Sequence, residues 1–173
     1  MSIFVLLVAS LTKLSESKVA NNEASTTSTL AQAHAIADWT IGVRRELHAQ
    51  PELLYELKRT SLAVRARLDE LSIPYTHSIA KTGIVATIGT GNPPCVALRA
   101  DMDALPIHEE ITCPYKSTVD GKMHACGHDA HTAMLLAAGK LLKAREHELA
   151  GTVKLIFQPA EEVRGLPLLL HRT

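Results

Sequence analysis

The strongest constraint on this chain lies in nine consecutive residues, Met123 to His131, which read MHACGHDAH. Side chains of histidine, cysteine and aspartate bind metal ions or orient the side chains that do. Cys126 and His128 are separated only by Gly127, so on a regular helix they would point in different directions. An irregular turn before a helix would let both face one point, and glycine permits such a bend. The sequence therefore predicts a metal-binding turn whose ligands include Cys126 and His128.

The other two histidines of this stretch are weaker candidates. His131 falls on the apolar face of a helix predicted over residues 129–148, so it is either a core histidine or a residue that orients a ligand. His124 lies before the turn, and we do not expect it to be a ligand.

Two apolar, strand-like runs end in pairs of acidic residues. The first run is expected to be a strand buried on both faces and leads to Asp101 and Asp103, and the second leads to Glu161 and Glu162. These runs span residues 95–100 and 152–157. In α/β sheets, ligand sites form beyond the carboxyl ends of the strands. A pair such as Glu161-Glu162 more often marks a helix N-terminus, but beside a Cys-Gly-His turn it favours one metal ligand and one proton acceptor. Asp101 and Asp103 could orient a metal-bound histidine or bind a metal themselves, but for Asp101 a role in a helix cap or turn fits equally well.

The remaining pattern alternates helices and strands. Periodicity predicts a helix that begins near Leu30 and ends before Pro51, and a second helix over residues 60–71. Shorter β-branched runs predict strands, and they span residues 75–78 and 83–89. The order predicts an α/β fold, with a mixed, mostly parallel sheet flanked by helices.

Composition excludes one class of function. Lys+Arg and Asp+Glu balance at 18 each, and only 3% of residues are aromatic. A nucleic-acid-binding surface needs a basic excess or aromatic stacking platforms, so we expect no nucleic-acid partner.

The N-terminal residues have the pattern of a targeting segment. Residues 3–9 form a short apolar run, which suits a signal peptide and is too short to span a bilayer. We expect a signal peptide over residues 1–20 and an Asn/Ser/Thr-rich linker over 21–30.

Five motifs together resemble the M20 metallopeptidase superfamily, and more narrowly its amidohydrolase branch, which includes plant IAA-amino acid hydrolases. They span residues 44–48, 51–53, 98–106, 124–131 and 157–162. The resemblance implies that residues 31–162 are the N-terminal part of a di-metal catalytic domain, without its lid and dimerisation domain. It implies that Cys126, His128 and Glu162 are metal ligands, that Glu161 is the general base and that Asp103 orients the site.

The implied activity is hydrolysis of a linear amide C–N bond in a small N-acyl amino acid, releasing indole-3-acetic acid (auxin) from its conjugates. The family uses two divalent metals, Mn²⁺ or Zn²⁺, and the expected location is the lumen of the endoplasmic reticulum. Residues 163–173 depart from the family pattern, and its later histidine ligands have no counterpart here. An inactive fragment, or a partner of a full-length relative, is therefore the alternative, with little turnover by this chain alone. A thiol redox protein using Cys126 is a weaker third hypothesis.

Overall fold

A computed structural model describes residues 22–164, and the surroundings of side chains from 29 to 162. The predicted signal peptide, residues 1–20, and most of the divergent tail, residues 163–173, lie outside the described residues and stay predictions. Four α-helices and four strands follow one another in the described part. They are α1 (Asn22–Ala35), α2 (Ala37–His48), α3 (Lys58–Glu70), β1 (Tyr75–Ile79), β2 (Gly83–Gly89), β3 (Cys95–Asp101), α4 (His128–Ala144) and β4 (Thr152–Gln158). Two 3-10 turns, Glu146–Glu148 and Glu161–Arg164, follow α4 and β4.

The N-terminal helices differ from the prediction. Helix α1 begins at Asn22 instead of near Leu30, so most of the predicted linker is helical. The helix is also broken at Ile36, whose backbone leaves the helical region at φ −104° and ψ 11°. Polar composition is only a weak prior against a helix, and Thr29 within this segment is buried in the fold.

The four strands form one sheet in the order β1-β2-β4-β3. Strand β2 pairs antiparallel with both β1 and β4, whereas β3 and β4 are parallel. The predicted mixed sheet with flanking helices is confirmed, but parallel pairing is the minority among the described strands.

Strand β3 is not buried on both faces, and that prediction is wrong. Its residues alternate: Leu98 and Ala100 are buried, whereas Cys95, Ala97 and Arg99 are exposed. Helix α4 packs on the buried face, and no element among residues 22–164 covers the other.

Helix α4 supplies the apolar layer against the sheet. Leu135, Leu136 and Leu142 are fully buried, and burial of one such side chain stabilises the fold by about 1.5–3 kcal/mol. Met134 and Leu141 lie at the half-buried margin of this layer. The helix ends at Ala144, short of the predicted residue 148.

No helix within residues 22–164 has the length and apolar character needed to cross a membrane.

The parallel pair β3–β4 determines where the acidic residues meet. Asp101 lies opposite Gln158 in the register, and the Met102 amide donates to the Gln158 carbonyl at 2.9 Å. The hydroxyl of Thr132 in α4 donates to the carbonyl of Asp101 at 2.8 Å. The ends of β3 and β4 and the start of α4 therefore meet at one edge of the sheet.

Candidate metal centre

Three side chains that the sequence predicted as metal ligands converge at this edge. One ligand atom each from Cys126, His128 and Glu162 lies within 4.8 Å of the others. Cys126 comes from the turn before α4, His128 is the first residue of α4, and Glu162 lies in the 3-10 turn after β4. Residues far apart in the chain thus form one cluster of sulfur, nitrogen and oxygen donors.

Gly127 gives the turn its shape. Its φ is +83°, a left-handed conformation that residues with a side chain adopt only at a cost, and it directly precedes the first residue of α4. A Cβ at this position would meet no atom within 4 Å, so backbone conformation alone favours glycine. The predicted irregular turn between Cys126 and His128 is present.

The ring of His128 is held in one orientation. Its Nδ1 lies 2.9 Å from the carbonyl oxygen of Asp103, which can only accept, so Nδ1 carries the hydrogen. Its Nε2 faces the two glutamates, at 3.8 Å from Glu162 Oε1 and 4.0 Å from Glu161 Oε2. The carboxylate of Asp103 raises the pKa of His128 to about 9, against the opposing effect of burial. Metal-binding histidines characteristically have the second ring nitrogen fixed in this way.

Asp103 also holds the two glutamates. Its carboxylate is 1% exposed and accepts the backbone N–H of Glu161 on one oxygen at 3.1 Å and that of Glu162 on the other at 3.0 Å. Burial acts to raise the pKa of Asp103, but His128 and these two amides outweigh it and the pKa is lowered. Ala160, in the left-handed region at φ +58°, turns the chain so that both amides point at Asp103.

Cys126 is exposed and sits in a negative field. The neighbouring carboxylate of Glu162, followed by burial and by Glu161, raises the pKa of its thiol. Reactive redox cysteines occupy electropositive surroundings that lower the thiol pKa. The surroundings of Cys126 therefore disfavour the thiol redox hypothesis, whereas they favour a nearby cation.

The donor set fits a divalent metal. Thiolate, imidazole and carboxylate are the ligands of zinc sites, and carboxylate and imidazole also suit manganese. His128 presents a free Nε2 because Nδ1 is engaged by Asp103. Asp101, His128 and His131 form a second group at similar spacing, but it shares His128, and Asp101 is paired with Arg99.

The structure places the remaining sequence candidates as follows. Asp101 is the last residue of β3, where it is buried and paired with Arg99, so its interpretation as a turn or cap residue is wrong. His131 is exposed, with its ring centroid 5.8 Å from that of His128, so the core-histidine interpretation is wrong. His124 is 4% exposed, and both its ring nitrogens are without a hydrogen-bond partner among the described residues. Burial lowers the pKa of His124 to about 4.

Sequence reasoning missed a buried charged cluster behind the turn. His48 contacts Asp129 and Glu109, and Arg44 forms an ion pair with Asp129. Neither His48 nor Glu109 was a candidate site residue in the sequence. Two signals pointed to this cluster: Asp129 lies next to His128, and Arg44 and His48 bound one of the five motifs that carry the family resemblance.

Comparison with known proteins agrees with this geometry. Residues 97–172 match the model of Peptidase family M20/M25/M40. The chain is 56% identical over 137 residues to IAA-amino acid hydrolase ILR1-like 4 of Arabidopsis thaliana, a match that covers 79% of this chain and 31% of the relative. It is 47% identical over 129 residues to the N-acetylcysteine deacetylase of Bacillus subtilis, covering 71% of this chain and 33% of that protein.

A solved structure shares the fold. The Bacillus subtilis YXEP protein, described as a dinuclear metal binding peptidase from the M20 family, superposes with a TM-score of 0.71 at 46% identity, covering 75% of this chain and 37% of that chain. The chain spans about a third of the length of the curated relatives that it matches. The chain therefore resembles a segment of the M20 peptidase family.

Proposed function

We propose that this chain supplies one side of the active site of a metal-dependent amidohydrolase of the IAA-amino acid conjugate type. The substrate would be a small N-acyl amino acid, and the products a carboxylic acid such as indole-3-acetic acid and a free amino acid. The convergence of Cys126, His128 and Glu162 beside Glu161 is the observation that carries the proposal. Similarity to plant IAA-amino acid hydrolases supports this substrate class, although deacetylases and carboxypeptidases of the family match as well.

Cys126, His128 and Glu162 would hold a divalent metal, Mn²⁺ or Zn²⁺. The chemistry that such a metal supplies is polarisation of an amide carbonyl and activation of water. Asp103 keeps the His128 ring and the Glu161-Glu162 turn in place.

Glu161 is placed to move the proton. Its carboxylate is exposed and faces Nε2 of His128 at 4.0 Å, while its backbone is fixed by Asp103. In this position it would accept a proton from the attacking water and pass it to the nitrogen of the leaving amine.

The secretory location remains our proposal from residues 1–20.

Metal binding tests the ligand assignment on the chain itself. We expect the purified chain to bind Zn²⁺ in calorimetric titration, and Cys126→Ser or Glu162→Gln to weaken binding at least tenfold. Cys95→Ser is the matched control, because Cys95 is also exposed but belongs to neither group of candidate ligands. Equal zinc affinity in Cys126→Ser and the parent chain would contradict the assignment.

A chimera tests the activity. Residues 31–162 would replace the aligned segment of the Arabidopsis relative, to which the chain is 56% identical. We expect the chimera to hydrolyse indole-3-acetyl-amino acids, and Glu161→Gln within it to abolish turnover while zinc binding persists. A chimera that folds and binds metal yet hydrolyses none of these conjugates would refute the substrate proposal.

A further inference from the structure

We propose that His48 is a positioning residue: it locks the ligand-bearing turn, residues 126–129, against the loop of residues 105–122. The expected effect on metal affinity rests on the proposed metal site, but the contacts of His48 are independent of any metal. His48 is the last residue of α2, is 3% exposed and touches none of the candidate ligands.

The first step is the pair of contacts that the ring makes. Nδ1 lies 2.7 Å from a carboxylate oxygen of Asp129, and Nε2 lies 3.1 Å from a carboxylate oxygen of Glu109. A carboxylate can only accept, so each ring nitrogen has to carry a hydrogen. Arg44 Nη2 also lies near Nδ1, at 3.1 Å, but the shorter contact with Asp129 identifies Nδ1 as a donor. Arg44 adds a second donor to the same oxygen of Asp129, also at 2.7 Å.

The second step leads from Asp129 to the metal-binding turn. Asp129 directly follows His128, and its second oxygen accepts the backbone N–H of Ala130 at 2.8 Å. Its first oxygen is shared by His48 and Arg44, both at 2.7 Å. Asp129 therefore ties the first turn of α4 to helix α2. A shift of Asp129 would move His128, because the two residues are adjacent on one helical turn.

The third step leads from Glu109 into the loop. The other oxygen of Glu109 accepts the backbone N–H of Ser117 at 2.7 Å. The ring of Tyr115 packs edge-on against the His48 ring, with 5.7 Å between the ring centroids. His48 thus joins both ends of the arrangement, the loop through Glu109 and the turn through Asp129.

The shape of the histidine ring meets this demand at position 48. Its two ring nitrogens point in opposite directions, and both can donate when the ring is charged. A glutamine donates from one end only, so its carbonyl oxygen would face the carboxylate of either Asp129 or Glu109. His48→Gln is therefore a substitution of similar size that breaks one of the two connections.

The experiment compares His48→Gln with two control variants of the same chain. His77→Gln changes an exposed histidine on β1, and Val64→Ala removes buried apolar volume from α3. Zinc affinity is measured by calorimetry, global stability by urea unfolding, and local opening by amide hydrogen exchange at Ala130 and Ser117. We expect His48→Gln to raise the zinc dissociation constant about tenfold, as residues behind metal ligands do, and to speed exchange at whichever of the two amides loses its connection.

The controls separate positioning from general destabilisation. Val64→Ala should lower stability without changing the zinc dissociation constant of the folded chain, and His77→Gln should change neither. Unchanged zinc affinity in His48→Gln, or unchanged exchange at both Ala130 and Ser117, would overturn the inference while leaving the proposed metal site intact. If the parent chain binds no zinc, the proposed function fails, and exchange at the two amides alone decides whether His48 fixes the turn.

Discussion

Replacing Asp103 with asparagine tests the contact that joins both sides of the candidate site. Each carboxylate oxygen of Asp103 accepts one backbone N–H, from Glu161 at 3.1 Å and from Glu162 at 3.0 Å. Asparagine has nearly the same shape, but one oxygen becomes an NH₂ group. Whichever way the amide is turned, a donor then faces one of the two backbone donors.

The cost follows from these two bonds. A hydrogen bond to a charged acceptor contributes about 1.5–3 kcal/mol, and a buried donor left unpaired costs about 1–3 kcal/mol more. Water can reach part of this turn, because Glu161 is exposed, and fraying of the Glu161–Arg164 turn limits the loss. We therefore expect Asp103→Asn to lower the free energy of unfolding by about 2.5 kcal/mol, at the bottom of the combined range.

Asp101→Asn is the matched control, two residues earlier on the same strand. Its carboxylate pairs with Arg99, whose side chain is 49% exposed, and such pairs contribute about 0–1 kcal/mol. Urea unfolding of the parent and both variants at pH 7 without metal gives the comparison. Equal losses in the two variants, within about 0.5 kcal/mol, would refute the assignment of Asp103 as the anchor of the Glu161-Glu162 turn.

Two further predictions concern parts of the fold away from the site. The Gly89 N–H donates to the carboxylate of Glu146 and lowers its pKa in the folded chain. The carboxylate therefore stabilises the fold fully above its pKa in the unfolded chain, which is near 4.3. This stabilisation is lost as the pH falls through the lowered pKa of the folded chain. In urea titrations, the difference in unfolding free energy between the parent chain and Glu146→Gln should therefore decrease from pH 7 to pH 3. A difference that stays constant over this range would contradict the role of the Gly89–Glu146 hydrogen bond. A Cβ at Gly151 would collide with the backbone of Pro94, whereas one at Gly42 meets no atom within 4 Å. Thermal unfolding should show that Gly151→Ala is destabilised by about 1–3 kcal/mol. Gly42→Ala, in an exposed helix interior, should be stabilised by up to about 1 kcal/mol. A change in stability of the same sign in both variants would contradict this prediction.

Local signals in the sequence were sufficient for the parts of the fold that local physics determines. Strand β2 and its bounding glycines were predicted as they occur, and β4 ends where the apolar run ends. The turn at Gly127 was also predictable, because two ligand-type side chains can face one point only if the residue between them leaves the helical conformation. The approach of the Cys126–His128 turn to the Glu161-Glu162 pair followed from the rule that sites form beyond the carboxyl ends of strands, whereas the choice of Glu162 as the ligand came from the family resemblance.

Features that depend on distant contacts could not be predicted. His48 and Glu109 are separated by 61 positions, and nothing near either residue indicates that the other will approach it. The exposed face of β3 had the apolar composition of a buried strand, and whether an element covers it is a property of the tertiary structure. Helix α1 shows the same limit, because its polar sequence favours a loop until the helix is packed.

The electrostatics of the candidate site explain why the sequence cluster and the acidic pairs belong together. The pKa of Cys126 and the pKa of His128 are both raised, chiefly by Glu162 and by Asp103 respectively. Each raised pKa means that the local field holds a positive charge more firmly than water does. Because the two groups lie within 4.8 Å of each other and of Glu162, the same field acts on any cation placed between them. A divalent ion carries twice the charge of a proton, so it gains more from this field, and a nearby metal reverses the pKa shifts that the carboxylates impose. Asp103 differs from these groups, because two backbone amides keep its carboxylate charged. It can therefore hold His128 and the Glu161-Glu162 turn whether or not a metal is present.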